Sequence, residues 1–225
     1  MRYLLAWFGF MLIGNAAGAG IADVSNTDAA SGLRQALTDG SGAAVAKLGV
    51  ENGYFGNPQV KIPLPPSLKR IESGLRVLGM RKQADELVLT MNRAAEAAAP
   101  EAKALLIDSV KKITVQDAKQ ILTGGNTAAT EYFRRTTQTQ LSERFLPIVK
   151  KATDRVGLAQ QYNSVVGQAA SLGLVKEDQA TNERYVTQKA LDGLYFMIGE
   201  QEKAFRQNPL GASSDIVKKV FGALR

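Results

Sequence analysis

Residues 128–156 read AATEYFRRTTQTQLSERFLPIVKKATDRV. Phe133, Leu141, Phe145, Ile148, Ala152 and Val156 recur at the spacing that keeps side chains on one face of an α-helix. Pro147 falls inside this stripe. Its ring removes a backbone N–H and crowds the preceding turn, which predicts a kink or break there.

The same periodicity extends in both directions. Toward the C-terminus, residues 158–172 read as helix, and Asp178 to Gln207 as a longer one with Tyr185, Leu194, Met197, Ile198 and Phe205 inward. Pro209 ends it, and a last short helix covers about Ser214 to Phe221. Toward the N-terminus, Thr114-Val-Gln-Asp117 resembles a capping box with Asp in place of Glu, opening a helix to Thr123 that Gly124-Gly125 stops. Pro100 opens a helix with Ala102, Leu105, Leu106 and Ile113 inward. Arg81 to Ala98 places Leu87, Met91, Ala94 and Ala98 on one face. Pro66 opens another helix, with Leu68, Ile71, Leu75 and Leu78 inward, which Gly79 closes. The first helix starts near Thr27 or Asp28 and carries Leu33, Leu37, Ala44 and Leu48; Gly40 and Gly42 weaken it.

Residues 49–66, GVENGYFGNPQVKIPLPP, differ in character, with three glycines and four prolines. Val60, Ile62 and Leu64 alternate, so one side of an extended segment is apolar. The prolines deny it a place inside a sheet, which predicts a strap laid across helices. The chain as a whole reads as all-α: one multi-helix domain over residues 20–225, of eight or nine helices, with a Pro/Gly-rich extended strap.

The segment ahead of that domain reads as a signal peptide, residues 1–19. Arg2 supplies the positive end, Tyr3 to Ile13 the apolar run, and Ala17-Gly18-Ala19 the cleavage site, leaving Gly20 as the mature N-terminus. The apolar run is about half the roughly 20 residues that a membrane span needs. Export to the periplasm is expected, with secretion as the alternative.

The 225 residues contain no Cys and no His. That excludes disulfides, Ser-His-Asp and Cys-His catalysis, and histidine ligation of metals. The net charge is +7, and removal of Arg2 with the signal leaves 27 basic against 21 acidic residues. Outside the cytoplasm such a chain meets anionic envelope components or other envelope proteins, not nucleic acid. No cofactor motif is present in the sequence.

Five segments carry a family resemblance: GNPQVKIPLP (56–65), MNRAAEAAAPEAKALL (91–106), YFRRTTQTQL (132–141), RFLPIVK (144–150) and YVTQKALDGLYFMIGEQEKAFRQNP (185–209). Together they resemble the bacterial family called domain of unknown function 4197. The resemblance implies an exported, mainly helical protein and carries over no activity and no site residues.

Candidate chemistry is sparse. Ser109-Val-Lys-Lys112 matches S-x-x-K, but the S-D-N and K-T-G partners of that chemistry are absent from the sequence. The glycines near 49–56 and 123–126 lack the GxxxxGK[ST] pattern of a phosphate loop and read as turns and caps. Asn92 and Glu96 lie one turn apart, with Asp85 one heptad before Asn92, and read as a buried polar network or a solvated face. Tyr132-Phe133-Arg134-Arg135-Thr136-Thr137 is the most unusual stretch, because arginines beside aromatics can hold carboxylate or phosphate groups bidentately. The candidate ligand-binding residues are Arg134 and Arg135, with Tyr132 and Asn92 secondary.

Two functions follow as expectations. One is a non-catalytic binding or interaction module of the envelope, for an anionic ligand. The other is a hydrolase using carboxylate or Ser/Lys chemistry in an inter-helix cleft. A third, association with a membrane surface, would use the final helix with Lys218, Lys219, Val220 and Phe221.

Overall fold

The computed structural model describes residues 24–70, 81–154, 159, 160, 163, 181–212 and 214–224. Among the described residues the regular structure is helical, with no strand. Six helices have nine residues or more: α1 (Asn26–Leu48), α2 (Arg81–Ala98), α3 (Ala102–Lys111), α4 (Val115–Thr123), α5 (Ala128–Thr153) and α6 (Asn182–Gln207). Two shorter ones, Pro66–Arg70 and Asp215–Gly222, amount to one or two turns. Among the described residues the six longer helices fall short of the eight or nine expected. The signal peptide with Gly20, the residues Ile71, Leu75, Leu78, Gly79 and Val156, and nearly all of the helix expected over 158–172 lie outside the described residues.

α5 and α6 form the central pair and run antiparallel: Ala129 and Thr130 sit beside Glu202, and Thr137 beside Tyr195. α2 packs on both, and α1 packs on α6 from another side while also touching α3, α4 and the C-terminal helix. The buried apolar side chains of all these elements form one contiguous core.

The core ridge of α5 is Phe133, Thr137, Leu141, Phe145, Val149 and Thr153, every one buried. The step is four residues throughout, so the ridge follows one row of the helix surface. It differs from the expected stripe, which placed Ile148 and Ala152 inward; both are only partly buried. The threonines take core positions because their hydroxyls donate to carbonyls one turn back, Thr137 to Phe133 at 2.7 Å and Thr153 to Val149 at 3.0 Å. Pro147 neither breaks nor ends the helix. It lies on the exposed side with Glu143, so the carbonyl its missing N–H releases stays in water.

The 49–65 segment is the expected strap. Tyr54, Val60, Ile62 and Leu64 are buried, while Lys61 and Pro63 point outward. Its backbone polar groups find partners on α2 in place of a neighbouring strand. Asn92 Oδ1 accepts from the Ile62 amide at 2.8 Å, and Asn92 Nδ2 donates to the Ile62 carbonyl at 2.9 Å. Glu96 Oε1 accepts from the Tyr54 and Phe55 amides, each at 3.0 Å, and Arg93 pairs with the other oxygen of that carboxylate. The Tyr54 hydroxyl crosses to the Ala190 carbonyl on α6 at 2.7 Å. Gly193 makes this approach possible, since a Cβ there would lie 2.7 Å from the Tyr54 ring. Asn92 and Glu96 are therefore the buried polar network, whereas Asp85 is exposed and near Arg81.

Sequence signals hold at several ends. Thr114 and Asp117 form the reciprocal capping box, with bonds of 2.9 and 3.1 Å. The C-terminal helix turns Val217, Val220 and Phe221 into the core, so the apolar side required for membrane association is already covered. No described helix is long and apolar enough to cross a membrane.

Candidate functional site

The arginine doublet sits in the second turn of α5, and neighbouring helical positions point about 100° apart. The two side chains accordingly meet different surroundings. Arg134 leans across to α6 and lies over the Tyr195 ring, 4.7 Å from its centroid. Its Nη1 donates to Asp192 Oδ1 at 3.4 Å, and the side chain remains 41% exposed. Tyr195 is a fixed platform. Thr137 donates to a backbone carbonyl and so accepts from the Tyr195 hydroxyl at 2.9 Å. Burial raises the Tyr195 phenol above its ordinary value, which keeps the ring neutral beneath the guanidinium.

Arg134 opens onto a groove of about 370 Å³ between α5 and α6. Thr130 and Glu131 share its α5 side; Phe196, Gly199, Glu200 and Lys203 line the α6 side with Asp192 and Tyr195. Asp192 also accepts from Gln188 at 3.0 Å and pairs with Lys189 at 3.5 Å, while Glu200 pairs with Lys203 at 2.7 Å. Among the described residues Glu131 accepts from the Thr127 hydroxyl, at 3.1 Å, and has no ion pair. Among the described residues no three carboxylates converge as a metal site.

Arg135 points to a smaller groove of about 110 Å³ that α5 shares with α4. It stacks on Tyr132 at 5.6 Å, near Asp117. Two Thr114 hydrogen bonds and then the Arg135 charge hold the Asp117 carboxyl below the usual range. Tyr132 donates to the Ser109 carbonyl at 3.2 Å, and burial raises its phenol. The structure thus separates the four predicted residues. Arg134 lines one groove, Arg135 and Tyr132 line another, and Asn92 lines neither because its amide is fully bonded to Ile62 and Val88. The Ser109 hydroxyl of the S-x-x-K match is bonded to Thr136 at 2.7 Å.

The sequence marks the helix over this stretch but not its groove-lining residues Asp192, Phe196, Gly199, Glu200 and Lys203, whose signal is not periodic. Leu194, Met197 and Ile198 mark the inward face, and nothing in the pattern distinguishes Phe196 as an exposed aromatic, at 38%.

These observations define an all-helical protein, without cysteine or histidine, that carries a surface groove of mixed charge and aromatic floor. Residues 23–222 match the model of the family described as protein of unknown function (DUF4197), and the chain belongs to that family. No curated protein and no solved structure matches it.

Proposed function

We propose that this protein is an exported, non-catalytic binding module that holds an anionic group, a carboxylate or a phosphate, on Arg134 in the α5–α6 groove. The observation that carries the reading is the state of Arg134. Its guanidinium is propped on a neutral ring and makes one long bond to Asp192, leaving further N–H donors for a planar or tetrahedral anion. Two of the three acids buried among the described residues support a binding role over chemistry. Glu96 and Glu202 each accept from two backbone amides and an arginine, and both serve the fold.

Calorimetric titration of the mature chain with benzoate and with inorganic phosphate tests the site. Saturable binding that Arg134→Glu abolishes and Arg135→Glu leaves intact is the expected result. Equal loss in both variants, or none in either, removes Arg134 from the role. The export component rests on the signal-peptide pattern of residues 1–19. Mass spectrometry of the exported protein should place its N-terminus at or within a few residues of Gly20. An intact Met1 form embedded in the inner membrane would overturn it.

A further inference from the structure

We infer that the α5–α6 groove takes a zwitterion of the α-amino-acid class: its carboxylate on Arg134, its ammonium on Glu131, and an apolar side chain over Gly199 and Phe196. The inference rests on the reading of Arg134 as an anion site and adds to it a cationic and an apolar contact.

Gly199 is the first observation. Glycine in the interior of a long helix costs stability relative to alanine, and α6 carries two near its middle. Gly193 has a packing reason in the Tyr54 ring. Gly199 has none: a Cβ there would meet only Thr130, at 3.4 and 3.9 Å, which is ordinary contact. Gly199 lines the groove, so the missing side chain leaves room at the groove floor.

Charge is the second. Arg134 and Lys189 share Asp192, and Lys203 pairs with Glu200, so both of these acids already have a cation. Glu131 has a hydroxyl partner and no ion pair among the described residues. It lies three residues before Arg134, on the same face of α5. A simple anion on Arg134 therefore sits beside a carboxylate that repels it, whereas a ligand that also carries an ammonium satisfies both. Phe196 supplies an exposed ring beside them, suited to an apolar side chain or to the ammonium itself. The volume, about 370 Å³, falls in the range of small-molecule sites, roughly 300–1,000 Å³.

The test is calorimetric titration of the mature protein with phenylalanine, N-acetylphenylalanine and phenylalaninamide. Phenylalanine should saturate the site. Each derivative should bind about tenfold more weakly or worse, because each leaves one charged partner unsatisfied. Glu131→Gln should weaken phenylalanine and leave N-acetylphenylalanine unchanged or tighter. Gly199→Leu should abolish binding of phenylalanine in a chain whose circular dichroism matches that of the parent. N-acetylphenylalanine binding as tightly as phenylalanine overturns the zwitterion and leaves the anion site standing. Binding of benzoate or phosphate with none of the three amino-acid probes does the same. Phenylalaninamide binding as tightly as phenylalanine overturns both readings, since the anion contact is then irrelevant. The absence of binding by all five probes also overturns both.

Discussion

Two glycines six residues apart on α6 show how differently one residue type serves a helix. At Gly193 a methyl would press on the Tyr54 ring at 2.7 Å, while at Gly199 it would enter ordinary contact distance of Thr130. Gly193→Ala should therefore destabilise the protein, because strap and helix must separate. Gly199→Ala should stabilise it by about 0.5–1 kcal/mol, the usual gain for a helix interior. Urea denaturation of the two variants should give opposite signs; a shared sign would mean that the strap does not rest on Gly193. Tyr54 itself carries a pH dependence. Burial, reinforced by the Glu96 charge, pushes its phenol well above the ordinary range. Below about pH 10 the folded and unfolded chains both keep the proton, and the stabilisation is fully present. As the pH rises past that value the unfolded chain ionises first, so stability falls. Tyr54→Phe should cost about 0.5–1.5 kcal/mol at neutral pH by losing the bond to Ala190. It should also lose less stability than the parent between neutral and strongly alkaline pH. Thermal melts across that interval check both statements.

At the scale of elements, the joints are made by polar side chains aimed at helix ends. Glu202 caps α5 from outside, accepting from the Ala129 and Thr130 amides at 3.0 Å and from the Thr130 hydroxyl at 2.9 Å. A carboxylate also suits the positive end of the helix dipole there. Arg206, one turn later on α6, pairs with Glu202 and donates to the Ile121, Leu122 and Gly124 carbonyls at the end of α4. One turn of α6 thus fastens the end of α4 and the start of α5 on either side of the Gly124-Gly125 connection. Glu202→Ala removes the counter-charge of the largely buried Arg206 guanidinium and the acceptor of two amides, and should cost about 3–5 kcal/mol in chemical denaturation. A cost near zero would show that water replaces the carboxylate. Asn92 and Glu96 do the equivalent work for the strap, giving it the backbone partners that a sheet would have supplied.

Across the whole molecule, stability rests on one core without disulfides. Leu141 and Phe145 are fully buried on the α5 ridge, and α5 packs most extensively against α6 and α2. Truncation of either to Ala should cost about 2–5 kcal/mol, because the removed side chain leaves a cavity as well as losing its transfer energy. Equilibrium unfolding followed by circular dichroism measures this directly. A change below about 0.5 kcal/mol for both would place the core elsewhere.

The helical class, the capping box at Thr114, the strap with its alternating Val60, Ile62 and Leu64, and most of the core are determined by the sequence alone. Each is a local property: periodicity, turn chemistry and the backbone limits of proline act over a few residues. The α5 ridge was only partly legible, because Thr137 and Thr153 read as polar until their hydroxyls are seen to bond within the helix. Tertiary structure alone decided which of two adjacent arginines faces the α5–α6 groove, and that Asn92 belongs to the strap. It alone brought Glu131 together with Phe196 and Gly199, 65 or more positions away along the chain. The physical reason is that a groove belongs to the gap between two helices. Its lining follows from their direction and register, which depend on contacts between distant residues such as Glu202 with Thr130 and Tyr195 with Thr137.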